Sequence, residues 1–162
     1  MKKIVSALLA ALTLCVLLTG CGKEKVELGS SDVMLTLDDG YQQGKEVKAE
    51  EDGEGQIGYY YNTDAGVDFD IYQWAKRDGE TLESFTAEEA AKFGVHTEIK
   101  DINGVQTGYF AYVEKYDMGS FITETYVLDS GDEFVEAVFC MDGDNPAARE
   151  EVNKVIGSLA GK

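Results

Sequence analysis

The chain is poor in the residues that most enzymes depend on. His96 is its only histidine and Pro146 its only proline; of three cysteines, Cys15 and Cys21 lie in or at the end of an N-terminal apolar stretch, which leaves Cys140 as the one thiol beyond it. A lone thiol cannot close an internal disulfide, so an apolar core must hold any fold together. Basic charge is scarce as well, with 14 Lys and Arg against 31 Asp and Glu and a formal net charge of −17. That balance excludes a nucleic-acid binder, which needs a basic footprint to displace counterions. It equally excludes charge-driven adhesion to anionic headgroups. The longest apolar run, Ile4 to Leu18, covers about 15 residues, short of the roughly 20 that a permanent membrane-spanning helix requires.

That run is informative for what surrounds it. Lys2 and Lys3 form a positive start, Ile4–Leu18 an apolar centre, and the small residues Thr19 and Gly20 precede Cys21, the order of an export signal. Leu18-Thr19-Gly20-Cys21 resembles the lipobox of bacterial lipoproteins. The resemblance implies cleavage before Cys21 and a diacylglyceryl group on its thiol, with palmitate-type acyl chains. Two chains on one residue supply the double anchor that stable membrane attachment needs. The expected organisation is residues 1–20 as signal peptide (a signal helix), 21–32 as lipidated Cys21 and flexible tether, and 33–162 as one domain. Removing residues 1–20, which carry two lysines and no acid, takes the formal charge from −17 to −19. The tether Gly22–Ser31 would reach at most about 33 Å. The expected location is outside the cell, anchored by lipid to the outer face of the cell membrane.

Beyond the tether, alternation and turn residues organise the chain. Val33–Asp38 and Ile57–Tyr61 alternate, and Val67–Ala75 does so over nine residues with Val67, Phe69 and Ile71 on one face and Asp68, Asp70, Tyr72 and Trp74 on the other. A helix follows from near Thr81 to Phe93, ended by Gly94; Thr86-Ala-Glu-Glu89 also has capping-box spacing. Segments 96–102, 105–115 and 120–128 are punctuated by Asn103-Gly104 and Met118-Gly119, both hairpin signals. The strand 133–141 is apolar at Val135, Ala137, Phe139 and Met141, and mostly so on its other face, where Glu136 stands among Phe134, Val138 and Cys140. Pro146 then opens a helix with an apolar stripe at Ala148, Val152, Val155, Ile156 and Leu159. A sheet apolar on both faces needs cover on both. The expected fold is α+β, an antiparallel sheet of about six strands sandwiched by helices.

The element order resembles the PsbP-like superfamily. The likeness rests on the first strand and its loop, the helix at 81–93, the run Gly-Val-Gln-Thr-Gly-Tyr-Phe-Ala-Tyr (104–112), the run from Thr125 to Phe139, and the final Val-Ile-Gly-Ser-Leu (155–159). It spans most of residues 33–160 and implies a domain that binds and assists other proteins. It implies no catalytic residues.

No chemistry-bearing motif stands against that implication. Cys140 and His96 are the residue types of a thiolate and its base, but Cys140 falls in an apolar strand, where a thiol is a small inert hydrophobe. Asp142-Gly143-Asp144-Asn145 offers oxygen ligands for calcium, yet Pro146 stands where an EF-hand needs a fifth-position ligand. Capping of the last helix by Asp144 or Asn145 accounts for that loop. No pair among the 31 acids sits in a glycosidase-like motif. The expectation is therefore no enzyme, no cofactor and no metal site.

The aromatics are what remains. Tyr59, Tyr60 and Tyr61 are consecutive, so they divide between two faces, and Tyr72 and Trp74 share the polar face of their strand. Such rings suit recognition of a protein, peptide or glycan; a covering helix or loop would instead bury them. Tyr72 and Trp74 are the candidate partner-binding residues. The expected function is a non-enzymatic binding or accessory module for an envelope protein or peptide, the alternative being a small-ligand or calcium-binding surface lipoprotein.

Overall fold

A computed structural model describes residues 23–28, 33–45, 55–117, 119–143 and 145–161. Cys21 and the expected signal segment lie outside the described residues. In chain order the elements are β1 (Glu24–Glu27), β2 (Val33–Leu37), β3 (Gln42–Gln43), β4 (Gly55–Asn62), β5 (Val67–Ala75), α1 (Leu82–Ala91), β6 (Glu98–Ile102), β7 (Val105–Tyr116), β8 (Gly119–Asp129), β9 (Glu133–Asp142), α2 (Pro146–Gly157) and β10 (Ala160–Gly161). The main sheet has seven strands in the order β3-β4-β5-β9-β8-β7-β6, and every pairing is antiparallel. A smaller sheet runs β1-β2-β10.

The two faces of the main sheet carry separate cores. On one face Val67, Phe69 and Ile71 of β5 meet Val135, Ala137, Phe139 and Met141 of β9, and the stripe Ala148, Val152, Val155 and Ile156 of α2 closes over them. Phe69 and Phe139 stack at 4.7 Å in the middle of this layer. On the other face Leu82, Phe85 and Ala90 of α1 cover Phe110, Val127 and Phe134. Alternation along β9 places these sets back to back, so the helices do sit on opposite sides of an antiparallel sheet.

Two helix starts follow the expected chemistry. Thr81 caps α1, its side chain accepting from the Ser84 backbone N–H while Ser84 returns a bond to the Thr81 backbone. The alternative box at Thr86–Glu89 is not used: Thr86 is fully buried inside the helix and its hydroxyl donates to the Leu82 carbonyl at 2.6 Å. Asn145 caps α2 by accepting from the Ala147 N–H, with Pro146 in the first turn.

The tether expectation needs correction. Within 21–32, Glu24–Glu27 is a strand, with Val26 opposite Leu35 of β2. Val26 and Leu28 are buried in the α2-side core with Leu35, Leu37 and Leu159. Two apolar residues at a spacing of two are a minimal strand signal. Charged neighbours on both sides hid it, because Glu24, Lys25 and Glu27 are the exposed residues of that strand.

Candidate functional site

Helix α1 is too short for the face it covers. Its 10 residues extend roughly 15 Å, whereas the 12 residues of β7 extend roughly 40 Å. Close seating of the helix is possible because Gly108 of β7 lies under Thr86, where a Cβ would collide with the threonine hydroxyl. Past Ala91 the chain turns away through Gly94, at φ +68°. The rest of the α1-side sheet face is left open.

Strand register defines what that open face holds. Tyr72 of β5 pairs with Glu136 of β9, Asp70 with Val138 and Asp68 with Cys140. Across the next pairing, Val138 meets Thr125 and Cys140 meets Thr123 of β8. Tyr59 and Tyr61 of β4 stand opposite Asp70 and Asp68 and stack on each other at 5.8 Å. Tyr60 points the other way, buried against Phe69.

Against the end of α1 this face deepens into a cleft of about 230 Å³. Five aromatic rings line it (Tyr72, Trp74, Phe93, Phe110 and Tyr112), together with the carboxyl groups of Glu89 and Glu136. The rings are arranged in two nearly parallel pairs. Tyr72 and Trp74 lie 6.1 Å apart at 7°, and Phe93 lies 4.1 Å from Tyr112 at 9°. Phe93 is 47% exposed although it is a large apolar residue. Tyr72 and Trp74 are thus half-buried, neither sealed under a helix nor free on the surface.

Glu136 is the unusual member. It is 5% exposed, and the indole Nε1 of Trp74 donates to its Oε2 at 2.7 Å. Among the described residues no other hydrogen bond and no ion pair reaches this carboxyl. Burial pushes its pKa up to about 7, with Glu89 adding to the rise; the indole hydrogen bond and Lys92 act in the opposite direction. Lys92 is itself engaged with Glu89 at 2.5 Å. Further along the open face, burial raises Asp68 and Asp70 above the usual carboxylate range, and Gln56 donates to Asp70. The other deeply buried glutamate, Glu124 on the α2 side, is paired with Arg149 and accepts from the Tyr126 hydroxyl. Of the two, only Glu136 lacks a cation.

The remaining sequence candidates do not assemble. Cys140 lies on β9 and exposed His96 just before β6, three strands away in the sheet order, a lateral separation on the order of 14 Å. Burial raises the Cys140 thiol pKa, with Asp68 and Glu114 adding to it, the reverse of what a nucleophile needs. Asn145 spends its side chain on the helix cap and on the Ala65 carbonyl. Among the described residues no group of three or more His, Cys, Asp or Glu could hold a metal ion. Glu136, Glu89 and Phe93 were not singled out from the sequence. The available signal was Glu136 itself, the one acid between Phe134 and Met141 in a strand otherwise apolar there on both faces.

No family model matches the chain, and no curated protein sequence matches it. Solved structures do. A crystal structure from Bacteroides thetaiotaomicron VPI-5482 superposes with a TM-score of 0.60 at 14% identity, covering 87% of this chain and 48% of that one, so the chain spans about half the length of that protein. Cyanobacterial PsbP (CyanoP) from Synechocystis sp. PCC 6803 gives 0.56 at 9% identity, covering 89% and 95%. The Saccharomyces cerevisiae Ran-binding protein Mog1p gives 0.54 at 12% identity, covering 88% and 96%. At these identities the likeness shows the fold, a PsbP-like and Mog1p-like α+β domain.

Proposed function

We propose that this chain is a lipid-anchored envelope protein whose domain binds a protein or peptide partner through the open α1-side face, without catalysing a reaction. The observation that carries this reading is the cleft at the end of α1, where Tyr72, Trp74, Phe93 and Tyr112 present half-exposed rings beside carboxyl groups. Rigid aromatic rings that keep a wet edge bring large contact area at low entropic cost. One structural neighbour is by its printed name a Ran-binding protein, which is compatible with a binding role for this scaffold.

The anchor and the cleft fit one geometry. Only Gly22 and Lys23 separate Cys21 from β1, so lipid on Cys21 would hold the small sheet within roughly 10 Å of the headgroups. That sheet belongs to the α2-side core, whereas the cleft opens on the other face of the main sheet. An anchored domain would therefore turn its cleft away from its point of attachment. In vivo cross-linking from a photoreactive residue placed at Tyr112, followed by identification of the adduct, tests the reading. A defined adduct lost in Tyr72→Ala/Trp74→Ala is expected. Equal cross-linking in that double variant would remove the face as the binding site.

A further inference from the structure

Five rings, two carboxyl groups and no basic side chain line the cleft. We infer that it is a receptor for an ammonium group, and that its occupant is a lysine side chain presented by the partner peptide. This inference rests on the binding role proposed above and specifies what the face recognises.

A carboxylate taken out of water is costly unless a cation or several hydrogen bonds compensate it. Glu124 has both kinds of compensation inside the chain, from Arg149 and from Tyr126. Glu136 has one hydrogen bond, from an indole. The charges near it come from known elements: Glu89 and Lys92 on α1, with the Tyr72 hydroxyl of β5, its pKa raised by burial, and Tyr112 of β7 lining the same cleft. Lys92 is committed to Glu89. An incoming cation would supply what this carboxyl is missing.

The rings select the form of that cation. Tyr, Trp and Phe faces attract an ammonium through the ring quadrupole, more strongly when water is excluded. Four rings in two stacked pairs flank the same cavity. A guanidinium gains most from two parallel bonds to both oxygens of a carboxylate. That mode is disfavoured here, because the Trp74 indole already takes one acceptor position of Oε2 and restricts the approach to it. An ammonium needs only the remaining oxygen. A volume of about 230 Å³ is below the roughly 300–1,000 Å³ of drug-sized sites and suits one side chain on a longer ligand. The chain's net charge of −17 favours approach of such a ligand over long range.

Binding then has a pH signature. A cation stabilises ionised Glu136, so capture at neutral pH releases a proton and tightens as pH rises through about 7.

The experiment uses the purified full chain, whose single tryptophan is Trp74, so intrinsic fluorescence reports on the cleft directly. Three probes are titrated: acetyl-Gly-Lys-Gly-amide, the same peptide with norleucine for lysine, and the same peptide with arginine. The lysine peptide is expected to change Trp74 emission saturably, the norleucine peptide to leave it unchanged, and the arginine peptide to bind more weakly. Glu136→Gln, which can keep the indole bond and loses the charge, should weaken the lysine peptide by about tenfold or more and remove the pH dependence. Equal responses to lysine and norleucine, tighter binding of arginine, or no response to the lysine peptide would each overturn the inference. The norleucine comparison is made on the unaltered chain and so does not depend on the variant folding. Failure here with a persisting Tyr112 cross-link would leave the binding face in place and remove only its preference for lysine.

Discussion

Trp74 Nε1 donates a 2.7 Å hydrogen bond to Oε2 of Glu136, joining an aromatic ring at the cleft wall to the carboxyl group of a residue that is 5% exposed. One residue lies on β5 and the other on β9, a sequence separation of 62. The bond fixes the indole plane parallel to Tyr72 and stands in for the cation that a buried carboxylate ordinarily has.

The first consequence is a pH-dependent stability. The Glu136 pKa is raised from 4.5 to about 7 by folding. Between those values the native protein keeps a proton that the unfolded chain has lost, so stability falls as pH rises from about 4.5 to about 7 and levels off above. The total is on the order of 3 kcal/mol. Asp68 and Asp70, also raised by burial, add a slope of the same sign that begins near the ordinary aspartate pKa. Chemical denaturation across this range should show Glu136→Gln flattened near neutrality and the parent chain declining.

Trp74→Phe keeps a ring but deletes the donor. At pH 8, where Glu136 is ionised, the loss should be about 1.5–3 kcal/mol, the usual worth of a hydrogen bond to a charged group. At pH 5 the carboxyl is neutral and the penalty should shrink. A pH-independent penalty would mean that the indole contributes packing alone.

Gly108→Ala tests how α1 is seated. The new methyl would meet the Thr86 hydroxyl, which is fully buried and bonded to Leu82, so the helix must lift from β7. The expected cost is about 1–3 kcal/mol, together with faster amide exchange in α1 while α2 is unaffected. Combining it with Thr86→Ala should recover part of the loss.

Arg149→Met isolates the glutamate on the other face. Glu124, 2% exposed, would be left as a buried charge without a cation, held by the Tyr126 hydroxyl alone. Destabilisation of roughly 2 kcal/mol is expected, below the ~3–5 of fully buried pairs because the guanidinium is half exposed. Glu124→Gln in the same background should restore most of it. Thermal melts of the single and double variants check both statements.

How far the chain can be read from its residues differs from element to element. The nine alternating residues of β5 and the apolar stripe of α2 are each settled by local periodicity, and both were legible with their faces assigned. The strand β1 was not, since its pattern spans only Val26 and Leu28 among charges and gains meaning from pairing with β2. Tyr72 and Trp74 could be assigned to a shared face. Their half-buried setting could not, because it depends on where α1 stops relative to β7, a strand that begins 14 residues later.

By itself, the sequence determined an acidic chain whose strands and helices alternate as their side chains dictate, with apolar residues on both faces of the sheet and Cys140 as the one thiol beyond the N-terminal stretch. Those properties depend on neighbours within one turn or one pleat. Tertiary structure alone decided that the acid in β9 would lie across from Tyr72, beneath the indole of Trp74 and beyond the end of a ten-residue helix. The physical reason is that a charge is costly or cheap according to what surrounds it in space. For Glu136 those surroundings come from β5, β7, β8 and α1, brought together only when the sheet closes.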